Sequence, residues 1–237
     1  MLISNLPKAQ RVWEIDAWRG VNIIYMVWFH YTYVLFSLYG IAFNPFTIRF
    51  PPSWIFTASF YFISGISSGF SRNPTRNGWR VAAAAFLFTL VTRFLMPTLY
   101  IRFGTLHFLA TAMLLTPLWR RLPLALLPGI SLLFLLLGIL ARGTTVATFW
   151  FLPFGFSYPG FDTLDYIPLF PYLAPYLMGI WTYAQVYAPR GRTSLTPEWL
   201  WTKPLQFIGR HSFTIYLWHQ PLFLLVLIPL LGMPNLR

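Results

Sequence analysis

Seven stretches of mostly apolar residues, at about 18–40, 53–71, 79–99, 104–119, 123–141, 166–187 and 205–231, most limit what this chain can become. A helix needs roughly 20 apolar residues to cross about 30 Å of hydrocarbon, where every backbone polar group must be satisfied within the segment. Proline and glycine fall at the joints, in "NPF", "FPPS", "SRNPTRNG", "RRLP" and "SYPGF". The expected fold is all-α: one domain over residues 1–237, a polytopic integral membrane helical bundle of about seven transmembrane helices. The fourth stretch is short, and "FWFLPFGF" (149–156) is apolar but too short to cross. It reads as re-entrant or interfacial, so the count runs from six to eight. Composition agrees: 57% of residues are hydrophobic and 9% charged, against about 25% charged in a soluble domain.

Seventeen Lys and Arg against five Asp and Glu give a net charge of +12. On a soluble domain that excess would point to nucleic acid; here it has first to be placed against the spans, because basic residues set membrane topology. With seven crossings, Arg49, Arg93, Arg102, Arg142 and Arg237 lie on one side, and the others, including Lys8, Arg11 and Arg19, lie on the opposite side. The positive-inside rule makes the richer side cytoplasmic, which predicts N-in and C-out. The excess charge is thus topology, and nucleic acid is not an expected partner. Acidic residues precede the first apolar run and no small-residue cleavage site follows it, which argues against a signal peptide. With that charge bias, a multi-pass protein of a bacterial inner membrane is expected.

Ionisable groups at membrane depth mark sites by default. In "WEIDAWRGVNIIYMVWFHYTY", Arg19 and His30 are 11 residues apart, about 20° beyond three full turns, so they share a helix face about 16 Å apart along the axis. Asp16, at i−3, can pair with Arg19. In the last span Ser212, Tyr216 and His219 fall at i, i+4 and i+7 and line one face. Pro221 frees a carbonyl about one turn earlier, and His211, off the stripe, is expected to cap or to meet a headgroup. On the other side of the membrane, Arg102 and His107 begin the fourth span and Asp162 and Asp165 precede the sixth. Asp165 reads as a cap of the sixth helix, a ligand contact, or a partner of Arg93 or Arg102. Ser64, Gly65, Ser67, Ser68 and Gly69 are small residues that permit close helix approach. Cysteine is absent, the four histidines are widely spaced and the carboxylates are few, so no metal is expected. There is no Walker-type loop and no GxSxG elbow.

The segments "RVWEIDAWRGVNIIYMVWFHY", "FYFISGISSGF", "RFGTLHFL", "LDYIPLFPYL" and "IGRHSFTIYLWHQP" occur in order. Together they resemble the bacterial membrane proteins related to heparan-alpha-glucosaminide N-acetyltransferase. More distantly, they resemble the membrane acyltransferases that O-acylate surface polysaccharides. That wider group shares an Arg, ten residues, then His, matched by Arg19 and His30. It also shares an FFxxSG-like element, matched at 60–65, and GxxSxxxYLxHxP, matched at 209–221. The resemblance implies acyl transfer from cytoplasmic acyl-CoA, acetyl-CoA above all, to a sugar or glycan acceptor, with His30 as base and Arg19 on the acyl-donor path.

Acyl transfer needs a base near neutrality and donors for a developing oxyanion, for which Tyr216, Ser64 and His219 are candidates. Arg72, Arg76, Arg80 and Arg210 collect on the cytoplasmic side, where a polyanionic CoA would dock. Asp165, His107, Arg102, Ser64 and Ser212 are the candidate acceptor contacts. Two other readings stand beside this one. The chain is either a non-catalytic integral subunit that keeps the fold within a larger membrane complex or homo-oligomer, or a transporter using the same histidines. No paired broken helices or internal repeat favour the last. The discriminating observation is whether the polar stripes of the first and last spans face each other across one cavity. An enzyme is expected to have His30 lining a pocket open to the basic cytoplasmic face, whereas His30 in tight packing without a void favours the subunit.

Overall fold

The computed structural model describes residues 11–41 and 53–233, with no side chain described for Leu38. Lys8, Arg49 and Arg237, which enter the charge balance above, lie outside the described residues. The described chain is helical throughout, without named strands. Its elements are α1 (Trp13–Tyr39), α2 (Ser53–Phe70), α3 (Pro74–Leu95), α4 (Thr105–Trp119), α5 (Leu126–Ala141), α6 (Leu169–Thr182), α7 (Lys203–Arg210) and α8 (Ser212–Leu231). A 3-10 turn at Phe149–Phe154 corresponds to "FWFLPFGF", and it leaves Phe149, Trp150 and Phe151 exposed. Two described helices, α3 and α8, are long and apolar enough to cross a membrane, and α4 and α5 are shorter apolar helices.

Two of the expected spans end differently. The sixth begins at Leu169 rather than 166, because Pro168 precedes it in an extended conformation and Tyr166 bridges to Phe103 instead. It also runs on as a π turn over Tyr183–Tyr187. The seventh, expected as one helix, is two. At His211 the backbone departs to φ −97°, ψ 11°. The Phe207 carbonyl there accepts both the His211 amide (3.2 Å) and its ring Nδ1 (2.8 Å). His211 thus caps α7.

By its internal contacts the chain groups into two compact units: residues 1–63 with 190–237, and residues 64–189. In the first unit α1 packs on α7 and α8 and meets the start of α2. There Tyr25 stacks on Phe56 with centroids 3.6 Å apart, and Ser59 Oγ accepts from Trp18 Nε1 and Asn22 Nδ2. In the second, α3 pairs with α4 and α5 with α6. A Cβ on Gly138 would overlap Pro171, and one on Gly65 would overlap the Tyr176 carbonyl, so glycine lets these helices touch. Arg120 caps α2 by donating to the carbonyls of Ser68, Gly69 and Ser71, a cation at the negative end of a helix dipole.

The side-chain distribution is inverted relative to a water-soluble bundle. Phe86 and Phe94 of α3, Ile139 and Leu140 of α5, and Leu225 and Leu230 of α8 point outward. Asn22, Thr32, Ser68, Thr116, Ser131 and His219 are buried. Surplus apolar surface outside and hydrogen-bonding groups inside is the arrangement that lipid favours.

Candidate active site

The first unit brings the two polar stripes together. At the start of α1 a Cβ on Gly20 would overlap the Leu205 carbonyl, and one on Gly209 would overlap the Asp16 carbonyl and sit 3.0 Å from Gly20 N. Backbone therefore meets backbone where α1 crosses α7, a contact only glycine allows. From that crossing α1 and α8 run in the same direction. Tyr31 meets Phe223 edge-on at 5.1 Å, and near the far end Tyr39 Oη donates to the Gly232 carbonyl.

Between these contacts His30 and His219 meet. Nδ1 of His30 lies 2.9 Å from Nε2 of His219, the ring centroids are 5.0 Å apart and the planes differ by 15°. Faces in van der Waals contact cannot bring ring atoms closer than about 3.5 Å, so the imidazoles lie edge to edge, nearly in one plane, as an N–H···N bond requires. Nδ1 of His219 donates to the Tyr216 carbonyl at 2.7 Å. Pro221 leaves the neighbouring Leu217 carbonyl, not this one, without its helical donor. Phe223 stands edge-on to His219, Phe29 tilts against His30, and Tyr216 against His219. His219 is buried and His30 half-buried. An apolar groove of about 530 Å³ on the same helices is lined by Ile24, Val27, Trp28, Tyr31, Ile215 and Phe223, and neither His30 nor His219 is part of its lining.

Toward the other end of α1, Arg19 Nη1 lies 3.4 Å from Asp16 Oδ1, the expected pair, and Arg11 Nη1 lies 3.8 Å from Oδ2. Burial holds the Asp16 carboxyl above the usual carboxylate range, against the pull of Arg19, Arg11 and Arg210. Beside it opens a cleft of about 490 Å³ whose lining includes Arg11, Arg210, Asp16, Glu198, Thr193 and Ser194. Arg210 also donates from Nε to the Gln206 carbonyl. Arg72, Arg76 and Arg80 belong to the second unit, exposed on the turn before α3 and its first turns. Ser212 opens α8, two turns before His219, and Ser64 lies within α2.

The remaining acceptor candidates gather where α4 begins, in the second unit. Asp165 caps a helix, but it is the fourth, not the sixth: Oδ2 accepts from Thr105 N at 2.7 Å and Oδ1 from Thr105 Oγ1 at 3.4 Å. The reason is nonlocal. Leu164 N donates to the Leu99 carbonyl and Ile167 N to the Phe103 carbonyl, which lays 164–167 beside the chain entering α4. Arg102 does not pair with Asp165. Its guanidinium covers the Tyr100 ring at 4.2 Å and donates to the Asp162 carbonyl, while Arg93 lies 5.2 Å from the centre of the same Tyr100 ring. His107 Nδ1 accepts from Gly104 N at 3.3 Å, so its proton is on Nε2, which donates to Thr89 Oγ1 at 3.1 Å. Thr89 in turn donates to the Ile101 carbonyl.

Asn22 and Gln206 were not singled out from the sequence, although both are polar residues within apolar stretches and both are buried. Gln206 Nε2 donates to Glu198 Oε1 and Thr202 Oγ1, which fixes the wall of the cleft. Asn22 Oδ1 has no hydrogen-bond partner among the described residues. No group of three or more His, Cys, Asp or Glu comes together among the described residues.

The model of one protein family, described as heparan-alpha-glucosaminide N-acetyltransferase, catalytic, matches residues 11–221. That range begins just before α1 and ends two residues after His219, so it contains both histidines. No curated protein and no solved structure matches the chain.

Proposed function

The chain belongs to the heparan-alpha-glucosaminide N-acetyltransferase catalytic family, and on that premise we propose a multi-pass membrane acetyltransferase with His30 as its base. The donor is acetyl-CoA from the cytoplasmic side and the acceptor an amine or hydroxyl of a sugar or glycan. The observation that carries this reading is the direct meeting of His30 and His219 across two parallel helices, 2.9 Å apart. A chain keeping the fold only as a packing subunit has no need to hold two imidazoles together in a segment where polar groups are costly.

Acetyl-CoA supplies a thioester carbonyl. His30 takes the proton of the amine or hydroxyl that attacks it and returns a proton to the departing thiolate. The Tyr216 hydroxyl, on the face of α8 that carries His219, is the candidate donor to the developing oxyanion. Arg210 and Arg11, with the hydroxyls of Thr193 and Ser194, line a cleft whose donors fit phosphate groups. Arg19 stands about 16 Å from His30 along α1, so its part is to hold the donor's polar end rather than to touch the reacting carbonyl.

Embedding in a bilayer is supported by the two long apolar helices and the outward apolar faces. Because α1 and α8 run parallel, they would cross in the same sense, as the first and last of seven crossings do. With the basic residues on the cytoplasmic side the orientation is N-in and C-out, in a bacterial inner membrane.

The test is acetyl transfer from acetyl-CoA by the purified protein, with glucosamine and polysaccharide acceptors, comparing wild type with His30→Ala. General-base loss lowers kcat by about 10²–10⁴-fold. Unchanged turnover in the variant removes His30 as base.

A further inference from the structure

We propose that His219 is a positioning residue, which holds His30 in a single tautomer and leaves Nε2 of His30 as the one uncommitted ring nitrogen of the pair. This rests on the reading of His30 as base and goes beyond it by naming the reacting atom and the group that selects it.

The order of protons follows from the contacts. A carbonyl oxygen can only accept, so the 2.7 Å contact to Tyr216 puts a proton on His219 Nδ1. A neutral imidazole carries one N–H, so Nε2 of His219 is bare and can only accept. The 2.9 Å contact then puts a proton on Nδ1 of His30, and Nε2 of His30 keeps its lone pair. The opposite order would set a bare His219 Nδ1 against the Tyr216 oxygen, two acceptors facing each other. The Tyr216 carbonyl therefore dictates, through two rings, which atom of His30 is basic. Among the described residues His30 Nε2 has no hydrogen-bond partner.

Proton uptake fits the same frame. When Nε2 of His30 takes the substrate proton, His30 becomes an imidazolium whose Nδ1–H still donates to the bare Nε2 of His219. Both hydrogen bonds persist through the step and nothing has to rearrange, the condition for preorganised stabilisation. A second added proton would remove the acceptor between the rings and place two cations in contact, so the pair takes up one proton beyond its two N–H groups.

The full-length protein in lipid nanodiscs, with ¹⁵N-labelled imidazoles, tests the order directly. It has four histidines, and spectra of His30→Ala and His219→Ala assign the pair. We expect both rings protonated at Nδ1 and bare at Nε2, with a coupling across the His30–His219 hydrogen bond. A His30 protonated at Nε2 overturns the proposal whatever the activity. The kinetic arm uses acetyl-CoA and glucosamine. His219→Ala should lower kcat about 10²-fold or more, as a base in the wrong tautomer does, with the KM for acetyl-CoA little changed. Gln offers a carbonyl oxygen to His30 Nδ1–H, so His219→Gln should recover to within about tenfold of wild type. Equal losses in folded Ala and Gln variants overturn the positioning role. The two readings fail separately. Activity that survives His30→Ala sinks the base, whereas an inactive His30→Ala with the wrong wild-type tautomer sinks only the positioning role.

Discussion

His107 and the His30–His219 pair are both histidine sites within helices, and they use their nitrogens in opposite ways. At His107 one nitrogen accepts the Gly104 amide and the other donates to Thr89, so both are spent on holding the start of α4. Three nitrogens of the pair are committed, and the fourth, Nε2 of His30, is not. Asp165 and Arg102, beside His107, are likewise engaged with Thr105 and with Tyr100 and Asp162. Buried polar groups are normal when satisfied. A site distinguishes itself by the satisfied network that stops one atom short.

The largest test of that contrast is His30→Ala, which should cost about 10²–10⁴-fold in kcat per folded molecule. His107→Ala should do the reverse. It strands the Gly104 amide and leaves Thr89 without its donor, for about 1–3 kcal/mol of stability, visible as a lower Tm. Turnover per folded molecule should fall far less than in His30→Ala, and a larger fall would break the comparison. Arg19→Ala should raise the KM for acetyl-CoA about tenfold, or about 1.4 kcal/mol, and lower stability by less. Equal losses in both would make Arg19 an anchor. The smallest effect is expected from Arg120→Ala, which uncaps α2 at a cost of about 0.3–1 kcal/mol and is read by thermal unfolding. A rise in the KM for acetyl-CoA as large as that of Arg19→Ala would place function in the second unit as well.

The helices were legible because hydrocarbon thickness fixes a minimum length for an apolar run, and α1 to α5 begin and end within a few residues of the expected spans. Periodicity alone put His30 on one stripe and His219 on another, and the structure sets these stripes face to face. The break at His211 was not legible, since it depends on a side chain competing for one carbonyl. Nor was the helix that Asp165 caps, because that follows from the pairing of 164–167 with 99–103, contacts made across some 60 residues. His107 looked like Arg102's neighbour in a ligand site, and spacing could not reveal that both its nitrogens are spoken for.

The glycine crossing carries a further consequence. Gly20 precedes His30 by ten residues, and Gly209 precedes His219 by ten. At about 1.5 Å per residue His30 stands about 15 Å past Gly20 along the unbroken α1, whereas His219 lies seven residues, about 10 Å, along α8 past the turn at His211. The two elements thus behave as callipers with legs of unequal length. Opening the legs by about 5° would part the tips by about 1.3 Å over the longer leg, enough to break the bond between the rings. Deleting one residue from either leg would swing its ring about 100° aside. The length of α1 between Gly20 and His30, and of α8 between the turn at His211 and His219, therefore sets whether the two rings meet.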